Sequence, residues 1–182
     1  MKCIETIEDA CQLIAQGAVL AYPTEAVYGL GCDPFNQTAV YRLLALKQRA
    51  VTKGLILLIA DWHQLAALIS PIPEAAMARV RATWPGPVTW VFPKKPTLPI
   101  WITGDHETIA IRMTAHPIAK ALCLNHPLVS TSANQSGHEP IRDAYEVEQQ
   151  FSNELDGWVK GALGGALLPS TMLDVLTGAV IR

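Results

Sequence analysis

Leu55-Ile56-Leu57-Leu58-Ile59-Ala60 is the segment that most limits what this chain can become. Six apolar residues in a row have the length of a strand and leave neither face of it fit for water. Such a strand needs cover on both sides, which a sheet flanked by helices supplies. The rest of the sequence offers that cover. Thr6 can cap a helix whose Ile7, Ala10, Cys11 and Ile14 follow helical spacing, with Gly17 as its stop. Asn36 or Thr38 opens a second helix with Val40, Leu43 and Leu44 inward, and its last turn delivers Lys47 and Arg49. Further helices are expected over residues 62–69, 74–84 and 117–124, and strands over 18–22, 88–92, 108–113 and 128–130. Asp143 with Glu146 resembles a capping box, and residues 172–176 and 179–181 read as a hairpin about Thr177-Gly178. Several connections between strands are too short for helical crossovers. The expected architecture is one α/β domain over residues 1–182, with a twisted sheet mixing parallel and antiparallel strands.

A chain of 182 residues, half of them hydrophobic, can bury a core without disulfides. No apolar run approaches the roughly 20 residues that span a bilayer. The first residues turn polar and acidic at once, unlike a secretory leader. Cys3, Cys11, Cys32 and Cys123 are scattered without a metal-ligand spacing, which suits reduced thiols. The expected location is the cytoplasm.

Net charge is only −2, yet Arg42, Lys47, Arg49 and Lys53 lie between Asp33 and Asp61 with no carboxylate among them. Ser130-Thr131-Ser132-Ala133-Asn134 sets small hydrogen-bonding side chains at the end of an apolar segment. Cations and hydroxyls of this kind suit a polyanion such as a nucleoside triphosphate, provided that the fold brings them together. Each has an ordinary reading too. Cations favour a helix C-terminus, and a Ser-turn or Asn cap needs no ligand. Lys53 fits the first of these poorly, because it lies beyond the helix. Arg112 and Thr108 share one face of an alternating strand, pointing either to solvent or into a cleft. Residues 22–31 (YPTEAVYGLG) follow a buried strand and make neither a dinucleotide fingerprint nor a phosphate loop, so a folding turn is equally open. The five histidines form no metal pattern and no Ser/His/Asp or Cys/His grouping stands out, so chemistry here would rest on positioning and charge.

Taken together, six motifs in order resemble the YrdC family: PTEAVYGLG, KQR, WPGPVT, IRMTAHP, STSANQSG and PSTMLD, covering nearly the whole chain. The resemblance implies a twisted α/β sheet around a positively charged concave cavity. It also implies that L-threonine, bicarbonate or CO2, and ATP are condensed into threonylcarbamoyl-AMP and pyrophosphate. Other proteins would then move the threonylcarbamoyl group to a tRNA adenosine beside the anticodon, and a contact with tRNA itself is left open. Matched residue by residue, Thr24, Arg112, Ser130 and Ser170 would contact threonine. Arg49, Lys53, Thr108, Ser132, Asn134 and Arg182 would surround the nucleotide, with Lys47 completing a Lys-x-Arg…Ser-x-Asn signature in which Lys47 and Arg49 act on the phosphates. Mg2+ is expected with ATP, and no residue is assigned to a metal. Ala26, Ala50 and Gly54 depart from common family choices without removing a charged or hydrogen-bonding group. The rival reading is a non-catalytic module that uses the same cations for tRNA or double-stranded RNA.

Overall fold

The apolar run becomes β4 (Ile56–Ile59), paired in parallel with β6 (Thr108–Met113) and antiparallel with β7 (Leu128–Ser132). The computed structural model describes residues 1–135, 137–151 and 154–181. The other strands are β1 (Lys2–Ile4), β2 (Leu20–Pro23), β3 (Tyr28–Gly31), β5 (Val88–Pro93), β8 (Gly157–Val159) and β9 (Thr171–Asp174). Among the described residues they form one sheet in the order β1-β8-β2-β3-β7-β4-β6-β5-β9, mixed in direction as expected. Helices α1 (Ile7–Ala15), α2 (Gln37–Leu46), α3 (Trp62–Leu65), α4 (Glu74–Arg81), α5 (Ile100–Thr103), α6 (Pro117–Leu122) and α7 (Ala144–Phe151) flank it.

The cover on the two faces is unequal, and that inequality makes the site. Leu57 and Ile59 enter a large apolar cluster with Val40 and Leu43 of α2, Val80 of α4 and Phe151 of α7. Leu58 and Ala60, pointing the other way, join a smaller cluster with Ala10 and Ile14 of α1 and with Ala119 and Leu122 of α6. Leu58 pairs with Leu128 beneath that cover. Two residues along, Ile56 pairs with Ser130 and both line an open cavity instead.

Several elements differ from the sequence reading. Residues 20–31 are a hairpin: β2 and β3 pair Leu20 with Gly31 and Pro23 with Tyr28 around a four-residue turn. Glycine weakens strand preference, which hides β3 from pattern reading. Its reason is close approach, because a Cβ at Gly31 would sit 2.4 Å from the Val129 carbonyl oxygen and 2.7 Å from the Tyr22 ring. Helix α3 stops at Leu65 rather than 69, where Ile69 is drawn into a bridge with Lys94. The C-terminal hairpin is present, with β9 one residue earlier than expected and Leu173 bridged to Val180 across Gly178 at φ 77°. Arg42 leaves the group of unneutralised cations. Its Nη1 lies 2.7 Å from Asp156, on a segment 114 residues away.

Candidate active site

Helix α2 ends at Leu46, earlier than the sequence reading placed its last turn. Gln48 follows in a left-handed conformation at φ 50°, and this reversal sends Lys47 and Arg49 in different directions. Lys47 turns inward. It is 3% exposed, and its Nζ donates to the Ser132 carbonyl (2.5 Å), the Asn134 carbonyl (2.7 Å) and Asn134 Oδ1 (3.3 Å). Burial, and then the Arg49 charge, pull its ammonium down to about 8. Arg49 lies across the short 3-10 turn Val51–Lys53, with Nη2 donating 2.9 Å to the Gly54 carbonyl. Lys53 itself is exposed on that turn.

These groups meet residues from distant segments around one cavity of about 440 Å3. Thr24, Glu25, Lys47, Arg49, Lys53, Arg112, Ser130, Ser132, Asn134 and Ser170 all line it. The fold thus brings nine of the eleven residues singled out in the sequence to one place. Thr108 lines a neighbouring cavity of about 320 Å3, which shares Arg49, Lys53, Leu55 and Ile56 with the first. Arg182 lies outside the described residues.

The hydroxyls and amide are already organised. Ser132 Oγ donates to Asn134 Oδ1 at 2.5 Å, while Asn134 Nδ2 donates to the His138 carbonyl at 2.6 Å. Thr24 Oγ1 donates to the Val27 carbonyl at 2.7 Å and so closes the β2–β3 turn. Ser170 Oγ and Thr89 Oγ1 share a hydrogen bond at 2.9 Å.

Lys53 precedes the start of β4, whereas Arg112 pairs with Leu58 further along that strand, and this other end of the cavity holds a residue the sequence reading passed over. Glu25, in the β2–β3 turn, accepts from Arg112 Nη1 at 2.5 Å through Oε2. Its Oε1 accepts from Thr114 Oγ1 at 2.8 Å and from the Ala115 amide at 3.3 Å. Burial works to raise the Glu25 carboxyl, but the Arg112 charge and the Arg112 and Thr114 hydrogen bonds outweigh it, leaving it below the usual carboxylate range. Nothing local could have paired Glu25 with a cation 87 residues away. The segment around Gly164 straps over this turn, with the Gly164 amide donating to the Thr24 carbonyl and the Ala166 amide to the Glu25 carbonyl. A Cβ at Gly164 would lie 2.9 Å from Glu25 Cα, so only glycine allows that approach. His116, given no chemistry in the sequence reading, ties α6 to the same strap through Nε2 and the Ala162 carbonyl at 3.0 Å.

Among the described residues the lining carries four cations against one carboxylate, and that carboxylate is committed to Arg112. Among the described residues, no group of three His, Cys, Asp or Glu side chains could hold a metal, and no helix is long and apolar enough to cross a membrane. The fold and the site together define an α/β protein with a cavity lined by cations and by hydroxyl and amide side chains.

The model of the family of Sua5, YciO and YrdC, described as telomere recombination, matches residues 12–182, and the chain belongs to this family. A Coxiella burnetii protein (strain RSA 331) named threonylcarbamoyl-AMP synthase is 51% identical over 180 residues, covering 98% of this chain and 97% of the relative. One of the same name from Pseudomonas aeruginosa (strain UCBPP-PA14) is 52% identical over 174 residues, 95% of this chain and 94% of its own. Among solved structures, P. abyssi Sua5 complexed with L-threonine matches with a TM-score of 0.89 and 35% identity. The match covers 96% of this chain and 54% of that one, so the chain spans about half of its length.

Proposed function

We propose that this chain makes threonylcarbamoyl-AMP and pyrophosphate from L-threonine, bicarbonate or CO2, and ATP. One observation carries the reading: a single cavity is lined by the buried Arg112–Glu25 pair, alongside Leu58 of β4, and by Arg49 and Lys53, which precede that strand. The relatives named threonylcarbamoyl-AMP synthase match it over nearly their whole length.

The chemistry follows from these groups. Arg112 binds the threonine carboxylate, and Thr24, Ser130 and Ser170 orient the amino acid. The neutral amine adds to CO2 to give a carbamate and releases a proton. A carbamate oxygen then attacks the α-phosphorus of ATP, the bond to the bridging oxygen breaks, and pyrophosphate leaves with the electron pair. The nucleophile arrives already anionic, so no activated Ser or Cys is needed. Arg49 and Lys53 face the phosphates, which carry about four negative charges, and stabilise the leaving group. Ser132, Asn134 and Thr108 complete the nucleotide's surroundings. Lys47 acts from behind, its ammonium fixing the 132–134 backbone while adding charge at the cavity wall.

The described residues here do not fit a resident metal, because the one carboxylate among them in the lining is taken by Arg112 and Thr114. Magnesium would enter as the ion of MgATP, a substrate component. The product is a mixed carbamic–phosphoric anhydride and so an activated acyl donor, fit for proteins that transfer the group to tRNA in the cytoplasm. The RNA-binding rival is less favoured, since Arg42 is neutralised by Asp156 and the remaining cations of its segment line a cavity. The test is pyrophosphate release from ATP. It should require both threonine and bicarbonate; no release, alongside tight RNA binding, would overturn the reading.

A further inference from the structure

Arg112 is buried, with its side chain 9% exposed, and among the described residues its guanidinium makes one hydrogen bond, from Nη1 to Glu25. A guanidinium offers five N–H groups, and two on one edge match a carboxylate. The single grip by Glu25 therefore leaves the rest of the fork to a ligand in the cavity that both residues line. Glu25 is itself held from three directions. Thr114 and the Ala115 amide fix Oε1, and Thr114 Oγ1 in turn accepts from the His116 amide at 3.1 Å. The Ala166 amide fixes the Glu25 carbonyl at 2.8 Å, and Ser170 of the cavity wall follows four residues later.

We propose that Glu25 is the positioning residue of the amino-acid end, aiming the Arg112 fork at the α-carboxylate of threonine while its backbone anchors the strap that carries Ser170. This inference rests on the proposed function and deepens it. Glu25 need not touch the substrate. It keeps a buried guanidinium from swinging to another acceptor or to water, so that the fork meets the ligand already oriented. Charge neutralisation alone would be a weaker role, one that any acid nearby could fill. Reach separates the two. Aspartate keeps the charge but is one methylene short of touching both Arg112 and Thr114.

The experiment compares wild type with Glu25→Gln and Glu25→Asp in threonine- and bicarbonate-dependent pyrophosphate release, using L-threonine and L-threoninamide. Both variants should raise the KM for threonine about tenfold, with the KM for ATP within about twofold of wild type. The preference for threonine over threoninamide should shrink by a similar factor, because the amide lacks the charge the fork reads. Thr114→Ala, which loosens the carboxylate without touching Arg112, should give a smaller change in the same direction. Thermal melting and ATP binding without threonine report on folding independently of turnover. An active wild type with unchanged threonine KM in Glu25→Gln overturns the positioning role. Wild-type behaviour in Glu25→Asp alone reduces Glu25 to a counter-charge and overturns it as well. A wild type with no threonine-dependent release removes the proposed function itself, and this inference with it.

Discussion

The two ends of the cavity hold positive charge in opposite ways. At one end Arg112 is buried, neutralised by Glu25 and fixed through Thr114 and Ala115. At the other, Arg49 is half-buried just before a short 3-10 turn, and Lys53 stands exposed at the end of that turn. A buried guanidinium needs a counter-ion before its ligand arrives, since an unpaired buried charge costs several kcal/mol. An exposed cation such as Lys53 can wait in water at little cost. The first arrangement suits a small ligand whose carboxylate must be placed; the second suits a polyphosphate that brings its own charge.

Variants that break this contrast should separate by size. Lys47→Ala is expected to do most, because it strands the Asn134 carbonyl and leaves the Ser132 carbonyl with only the Asn134 amide, as well as removing charge. A loss of about 3 kcal/mol in stability and a fall of about 10^3 in turnover are expected. Denaturant melts alongside pyrophosphate release check both. Arg49→Ala should lower kcat/KM for ATP by about 10^2 while the melting temperature stays within a few degrees. Wild-type turnover in that variant would deny the cationic end its role. Lys53→Ala, on an exposed side chain, should raise the KM for ATP about tenfold and leave the threonine KM alone.

Two gentler perturbations sharpen the same contrast. Lys47 loses its proton as pH rises through about 8, so its charge is present below that pH and absent above it. At saturating threonine and bicarbonate, kcat/KM for ATP should therefore fall on the alkaline side with an apparent pKa near 8. The Glu25 carboxyl lies below the usual range, so it stays ionised throughout this window. Added salt should weaken ATP more than threonine, since screening acts on exposed charges and little on a buried pair. Equal sensitivity of the two substrates would contradict the difference in burial.

What could be read from the sequence followed the range of the signal. Local periodicity marked β4, β6, α1 and α2, because each carries its own apolar pattern. β3 was hidden by glycines whose purpose, room for Tyr22 and the Val129 carbonyl, exists only in the folded sheet. The short strands β1 and β8 depend on each other across more than 150 residues and have no pattern of their own. In the site, Arg112, Ser130 and Ser132 were legible from strand alternation, and the sheet register then set them around one floor. The inward turn of Lys47 was not, since a cation after a helix reads first as a partner of the helix dipole. Glu25 was not legible either, as its meaning lies in Arg112 and Thr114 on another strand.

The central claim is that one cavity holds two substrates at chemically distinct ends. A crystal structure with a non-hydrolysable ATP analogue and L-threonine bound together tests it most directly. The triphosphate should lie against Arg49 and Lys53, with the threonine carboxylate on the Arg112 fork and Glu25 still holding Nη1. Threonine bound away from Arg112, or phosphates bound at the Arg112–Glu25 pair, would contradict it.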